Sequence, residues 1–386
     1  MKKQSKYFNL AKQNMTRKIV SSFLDGLLLL IFNVVLVLTV VFPILRNNEE
    51  FKKNNDRCFE EIHQIYLIHE EAKVNFLVEG SKKDIISKEE LFDIYVDQNL
   101  NTSYQYNINL FNEQGITINL DSYASFDNDI LAYYFVNYKN ENKINILDYN
   151  NKDSKVYYVE SILYKNINKD YFDLIDGFPV IKFEKAINIY NYKKGLSNDP
   201  TLYNEFYNAF IKINQMAIDD LSTYSEYKDH FNKYQNAFFE MSKMENIALF
   251  ILYVVTFIIL ILLPQLIFKE GITFGRLITK TRLCSNDGSE ASTKQILVGN
   301  ISTFMVFGVV IIFTSLFTFG LTNLSLTLFS IGELSISYLQ ILMLSILMIF
   351  INFAFICFNF DHFTFSEFIS KMQSKDLTYY IKENNN

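Results

Sequence analysis

Four long, nearly uncharged runs predict a polytopic α-helical membrane protein. Its four transmembrane helices would carry an α+β extracytoplasmic domain on a helical stalk. Three observations lead there. Each run reaches the 20 or so apolar residues that a bilayer span needs. Lys and Arg concentrate in short segments that flank the runs. One interval between runs, 46–245, is large and acidic.

The first 18 residues hold Lys2, Lys3, Lys6, Lys12, Arg17 and Lys18 and no acid, so 1–18 reads as a basic cytoplasmic N-terminus. The run 19–45 follows as transmembrane helix 1, with Asp25 as its only charge. It is longer than a signal-peptide core, and its exit, VVFPILRNN, offers no small-x-small cleavage site. It therefore reads as a retained anchor. Residues 246–268 carry no charge and form helix 2. The stretch 295–360 carries one, Glu333, and divides into helix 3 (297–321) and helix 4 (335–358) around a short outside turn. The loop 269–296 is basic through Lys269, Arg276, Lys280, Arg282 and Lys294, which places it in the cytoplasm with the tail 359–386. By parity, 46–245 is extracellular and the protein is a multi-pass component of the cell membrane.

That ectodomain carries 22 Lys and Arg against 33 Asp and Glu, so the net charge of −6 averages a basic inside and an acidic outside. The acidity argues against nucleic acid as its partner. By this topology Cys58, Cys284 and Cys357 cannot pair with one another, so the domain must fold on its own core. Its ends read as helices. Residues 47–79 lack Pro and interior Gly and repeat Phe51, Cys58, Ile62, Ile65, Leu67 and Ile68 at near-helical spacing. Residues 200–245 start at an Asp199-Pro200 cap and repeat Phe206, Phe210, Ile213, Ala217, Leu221, Tyr224 and Phe231. Helix 200–245 running on into helix 2 would span roughly 100 Å, so a break is expected.

The middle of the domain reads as mixed α/β. GITINLDSY (115–123), KINILDY (143–149) and KVYYVESILY (155–164) alternate like strands, while 128–138 and 170–192 fit either type. His63 and His69 sit six residues apart, on different sides of a helix, and read as solvated polar residues rather than a metal pair. In DYNNKDSKVYYVE (148–160), Lys152 and Val159 occupy positions where a calcium loop needs oxygen ligands, so it reads as a turn. No phosphate loop, nucleophile elbow or His-rich metal pattern is present. The chain therefore reads as a non-enzyme without cofactors. The absence of Trp beside abundant Asn, Lys, Ile, Phe and Tyr points to an AT-rich bacterial genome.

The cytoplasmic loop holds Gly271, Thr273, Gly275, Arg276, Arg282, Asp287 and Gly288 in order. A basic residue (Arg17 or Lys18) precedes Asp25 in helix 1, and HFTFSEF supplies Glu367 after helix 4. This pattern resembles the RDD family of bacterial membrane proteins over about 17–45 and 246–370. Glu367 stands where that family has Asp, and the 46–245 segment is an insertion between its first two spans. The resemblance implies transport, including cation/proton exchange, or an accessory role in transport. Four spans would then call for a homo-oligomer or a larger membrane complex.

On the residues alone, Asp25 is open to two readings. It is an ion or proton site that alternates between a cation and a basic side chain, or it is a structural ion pair with Arg276, Arg282 or Lys18. Asn33, Gln265, Asn300 and Asn352 are set to join spans by hydrogen bonds. A second function class is a membrane-anchored binding, sensing or scaffold protein acting through its ectodomain, with stalk helices coupling head to loop. The order of one span, a large outside domain and three spans also matches permease subunits of the macrolide-exporter type.

Overall fold

The computed structural model describes residues 12–82, 84–118, 122–144, 153–268, 271–319, 327–331, 334–358 and 362–377. The basic segment 1–11, most of the expected strand 143–149, the start of the 148–160 turn, Lys269 and the end of the tail lie outside these. The helices, in chain order, are α1 (Met15–Asn47), α2 (Glu49–Glu71), α3 (Lys88–Tyr106), α4 (Phe183–Lys193), α5 (Thr201–Leu221), α6 (Ser225–Phe268), α7 (Phe274–Ile278), α8 (Thr293–Thr318), α9 (Tyr338–Phe358) and α10 (Phe365–Ser370), with shorter helical turns between them. The chain divides into two compact units, one of Met1–Asn54 with Phe238–Asn386, the other of Asn55–Ala237.

In the first unit, α1, α6, α8 and α9 are long and apolar enough to cross a membrane, with mean hydropathies between 2.4 and 3.0. They coincide with the four runs expected from sequence. Their sidedness is inverted relative to a helix in water. The buried stripe of α1 is Lys18, Ser21, Asp25, Leu29 and Asn33, spaced three or four residues apart, while Phe23, Ile31 and Val35 are exposed. On α9, Ser345 is buried while Met343, Leu347, Phe350 and Phe353 point outward. Leu29, Val37, Tyr253, Phe257, Phe307 and Ile311 interlock at the centre. The expected hydrogen bonds between helices are present. Asn33 donates to Thr256 Oγ1 at 3.0 Å, and Gln265 and Asn300 exchange amide bonds at 3.2 and 3.3 Å. Asn352 differs: its Oδ1 accepts from the amide of Phe365 in the short helix α10 at 3.2 Å, and its Nδ2 donates to Met348 O within α9, so neither bond reaches another long helix.

Two small antiparallel sheets belong to this unit. Strand β4 (Thr327–Ile331) pairs with β5 (Leu334–Ser337) between α8 and α9, where a plain turn was expected. Strand β3 (Thr281–Ser285) pairs with β6 (Met372–Asp376), in register from Thr281 opposite Asp376 to Ser285 opposite Met372. This second sheet ties the loop after α6 to the tail after α10.

The second unit is mostly helical, with one hairpin, β1 (Phe172–Ile175) on β2 (Phe178–Ile181), among its described residues. Its expected mixed α/β middle is thus less β than the sequence suggests. KVYYVESILY is helical, not a strand. Asp153 caps the segment by accepting from the Lys155 amide at 2.8 Å, and Tyr158, Val159, Ile162 and Leu163 form its buried face at helical spacing. High β-propensity yields here to tertiary packing. Residues 132–138 are helical as well.

The flanking helices follow expectation more closely. Asp199 Oδ1 accepts from the Thr201 amide at 3.0 Å, and Phe206, Phe210, Ile213, Ala217 and Leu221 are buried along α5. The expected break falls between α5 and α6, at 222–224. Helix α2 ends at Glu71 rather than continuing to 79. Cys58 Sγ reaches Tyr234 O at 3.9 Å, Glu61 meets His230 Nδ1 at 2.6 Å, and His69 stacks on Tyr227 with centroids 5.7 Å apart. Residue numbers descend on one side as they ascend on the other, so α2 and the start of α6 are antiparallel. His69 is buried rather than solvated, and its two ring nitrogens have no hydrogen-bond partner among the described residues. Burial lowers its pKa from 6.5 to about 4, so it sits in the fold as a neutral ring.

Candidate functional site

At one end of the first unit, charged residues from α1, the loop and the tail converge. Asp25 belongs to the buried stripe of α1. Its Oδ2 accepts from Thr273 Oγ1 at 2.7 Å and its Oδ1 from the Gly275 amide at 2.6 Å. Thr273 also N-caps α7, its hydroxyl accepting from the Arg276 amide at 3.3 Å. One carboxylate therefore pins the start of a five-residue helix against α1. Gly275 makes that approach feasible, since a Cβ there would stand 2.0 Å from Ser21 O. Gly271 turns the chain into the loop at φ +57°, and a Cβ on it would meet the Leu283 Cβ at 2.2 Å.

Arg276 returns toward the same place. Its Nη1 donates to Gly271 O at 2.7 Å, and the charges of Asp25 and Glu367 act on it. Burial pushes the guanidinium below its ordinary pKa, and those two carboxylates resist that shift.

Lys18 does not pair with Asp25. Its Nζ reaches Glu367 Oε2 at 2.7 Å and His362 O at 2.8 Å, and both charged side chains are 4% exposed. Glu367 is the third residue of α10 in a capping box with Thr364. It accepts from the Thr364 amide at 2.8 Å and from the Ser374 amide and hydroxyl at 2.8 and 2.5 Å. Burial alone would raise this carboxyl, but Lys18 and the hydrogen bonds outweigh it and hold Glu367 below the ordinary range. Arg17, one step around α1, pairs with Asp376 at the end of β6 at 2.5 Å.

Arg17, Lys18, Asp25, Gly271, Thr273, Gly275, Arg276 and Glu367 thus gather at one end of the first unit. Three members of the sequence pattern stand apart. Arg282 lies on β3 and donates to Thr281 O at 3.1 Å. Asp287 and Gly288 form the turn after β3, where Asp287 Oδ1 accepts from Ser289 Oγ at 2.6 Å and Gly288 has φ +77°. Asp376, Ser374 and Gln13 complete the cluster and were not singled out from sequence. The tail's balanced charge hid Asp376, because its importance depends on β6 pairing with β3.

Beside the cluster lies a partly open cavity of about 550 Å³. Lys18, Asp25, Arg276, Glu367 and Gln13 line its polar end, and Leu30, Val306, Val310, Phe313, Ile349 and Phe353 line the rest. Among the described residues no group of three His, Cys, Asp or Glu side chains could hold a metal ion. No family model, curated protein or solved structure matches the chain.

Proposed function

We propose that this chain is a membrane-anchored binding or sensing protein. In this reading the acidic 55–237 unit acts outside the cell, and the four apolar helices anchor it in the bilayer. The inverted sidedness of α1 and α9 supports the membrane placement, because lipid is the solvent in which apolar residues face out and polar ones face in. The observation that carries the functional reading is the saturation of the charged cluster. Asp25, Glu367 and Asp376 each have short internal hydrogen bonds or ion pairs, made largely to backbone amides, hydroxyls and fixed cations. A carboxylate held this way fixes the packing of α1, the loop and the tail. An exchanging site needs a carboxylate that can trade partners. The 55–237 unit has its own core, with Phe92, Tyr95 and Phe210 in mutual ring contact and Phe206 against Phe172.

One observation favours the second reading, cation/proton exchange at Asp25 within an RDD-like transporter: Asp25 lines the cavity. Full-length protein in proteoliposomes separates the two. The anchored-protein reading expects no cation-driven collapse of a pH gradient by wild type or by Asp25→Asn. Collapse by wild type that vanishes in a monodisperse Asp25→Asn protein would establish exchange instead.

A further inference from the structure

We infer that the cavity between α1, α8 and α9 is a binding site for one membrane lipid with an uncharged, hydroxyl-bearing head, of the diacylglycerol or glycosyl-diacylglycerol class. The inference rests on the membrane placement but not on any role of the outer unit.

The cavity's volume, about 550 Å³, falls in the range of small-molecule sites. Its chemistry is graded. The walls toward Leu30, Val310, Phe313, Ile349 and Phe353 are hydrocarbon. Phe313 and Phe353 are 46% and 54% exposed, so the apolar part reaches the outer surface of the helices, where acyl chains lie. The other end holds Gln13, Thr303, Asn352, Ser366 and the charged cluster.

Charge decides the head. The ionic residues lining the cavity are Lys18 and Arg276 against Asp25 and Glu367, which cancel. Lys18 is already committed to Glu367, and Arg276 lies in the field of both carboxylates. An anionic phosphate would meet two carboxylates beside two engaged cations. An uncharged head would meet only hydrogen-bonding groups. One of these is a donor awaiting an acceptor. Gln13 is 3% exposed, and its Nε2 has no hydrogen-bond partner among the described residues. A buried unpaired amide donor is costly, and a lipid hydroxyl or ester oxygen would satisfy it. The Gln13 backbone amide is separately fixed on Ser374 O at 3.0 Å, so the side chain is positioned without needing a protein partner.

The test uses full-length protein reconstituted in nanodiscs containing a diacylglycerol with a photoactivatable acyl chain, alongside equally labelled phosphatidylglycerol and phosphatidylethanolamine. Expected is crosslinking to α1, α8 and α9 peptides around the cavity, with diacylglycerol favoured at least about tenfold over phosphatidylglycerol. Val306→Trp should cut that labelling severalfold. Gln13→Leu, which removes no side-chain bond from Nε2, should abolish the preference for the hydroxyl head even where Val306→Trp fails to fold. Labelling spread evenly over all four helices, equal labelling by all three lipids, or a preference unchanged in Gln13→Leu would each overturn the assignment. Failure of wild type to enter any bilayer would remove the membrane placement itself.

Discussion

Lys18 and Glu367 show how a single pair can lock distant segments, because they sit 349 residues apart and meet at 2.7 Å with almost no solvent. Removing one partner leaves an uncompensated buried charge, whereas removing both does not. Lys18→Met should therefore destabilise the full chain by about 3–5 kcal/mol in denaturant unfolding. Adding Glu367→Gln should restore at least about 1 kcal/mol of that loss through coupling between the two sites. His69 gives a second residue-level test. Its folded pKa, about 4, lies below the unfolded 6.5, so the unfolded chain binds the extra proton between those values. Stability of the 55–237 unit should fall as pH drops through 6.5 and level off below 4, by up to about 3 kcal/mol. His69→Phe should flatten that part of the pH profile. At this scale the sequence was partly legible. Asp25, Gly275 and Glu367 were marked by where they stood, but the partner of Lys18 was not. Helical spacing put Asp25 on its face, and only the return of the tail brings Glu367 closer.

The apolar elements were readable because length and lack of charge define them without reference to partners. α1, α6, α8 and α9 fall where the four runs lie. The segment 155–164 reads as a strand from sequence because its Val, Tyr and Ile content suits one and its alternation fits both periods. Burial of Tyr158, Val159, Ile162 and Leu163 together favours the helix. Proline discriminates the two. Glu160 is exposed and central, so Glu160→Pro should cost about 3 kcal/mol more than Glu160→Ala if the segment is helical. Equal costs in urea unfolding would restore the strand reading. The β3–β6 pair was missed for a different reason. Neither strand is long or strongly alternating, and each is stabilised by the other across the intervening α8 and α9.

For the molecule as a whole, the charge distribution sets the account. Lys and Arg cluster in the short segments that flank the four apolar helices, and in the proposed reading that bias sets which side of the membrane each segment faces. In that proposed reading the cluster of Asp25, Lys18, Arg276 and Glu367 would lie at the cytoplasmic face and the 55–237 unit would be exterior. The most direct measurement is impermeant maleimide labelling of single cysteines in intact cells. The background replaces Cys58, Cys284 and Cys357 with Ser. Leu196→Cys, at a site 72% exposed in the 55–237 unit, should label without permeabilisation. Glu290→Cys, exposed in the loop after β3, should label only once the membrane is opened. Labelling of Glu290→Cys but not Leu196→Cys in intact cells would contradict the account.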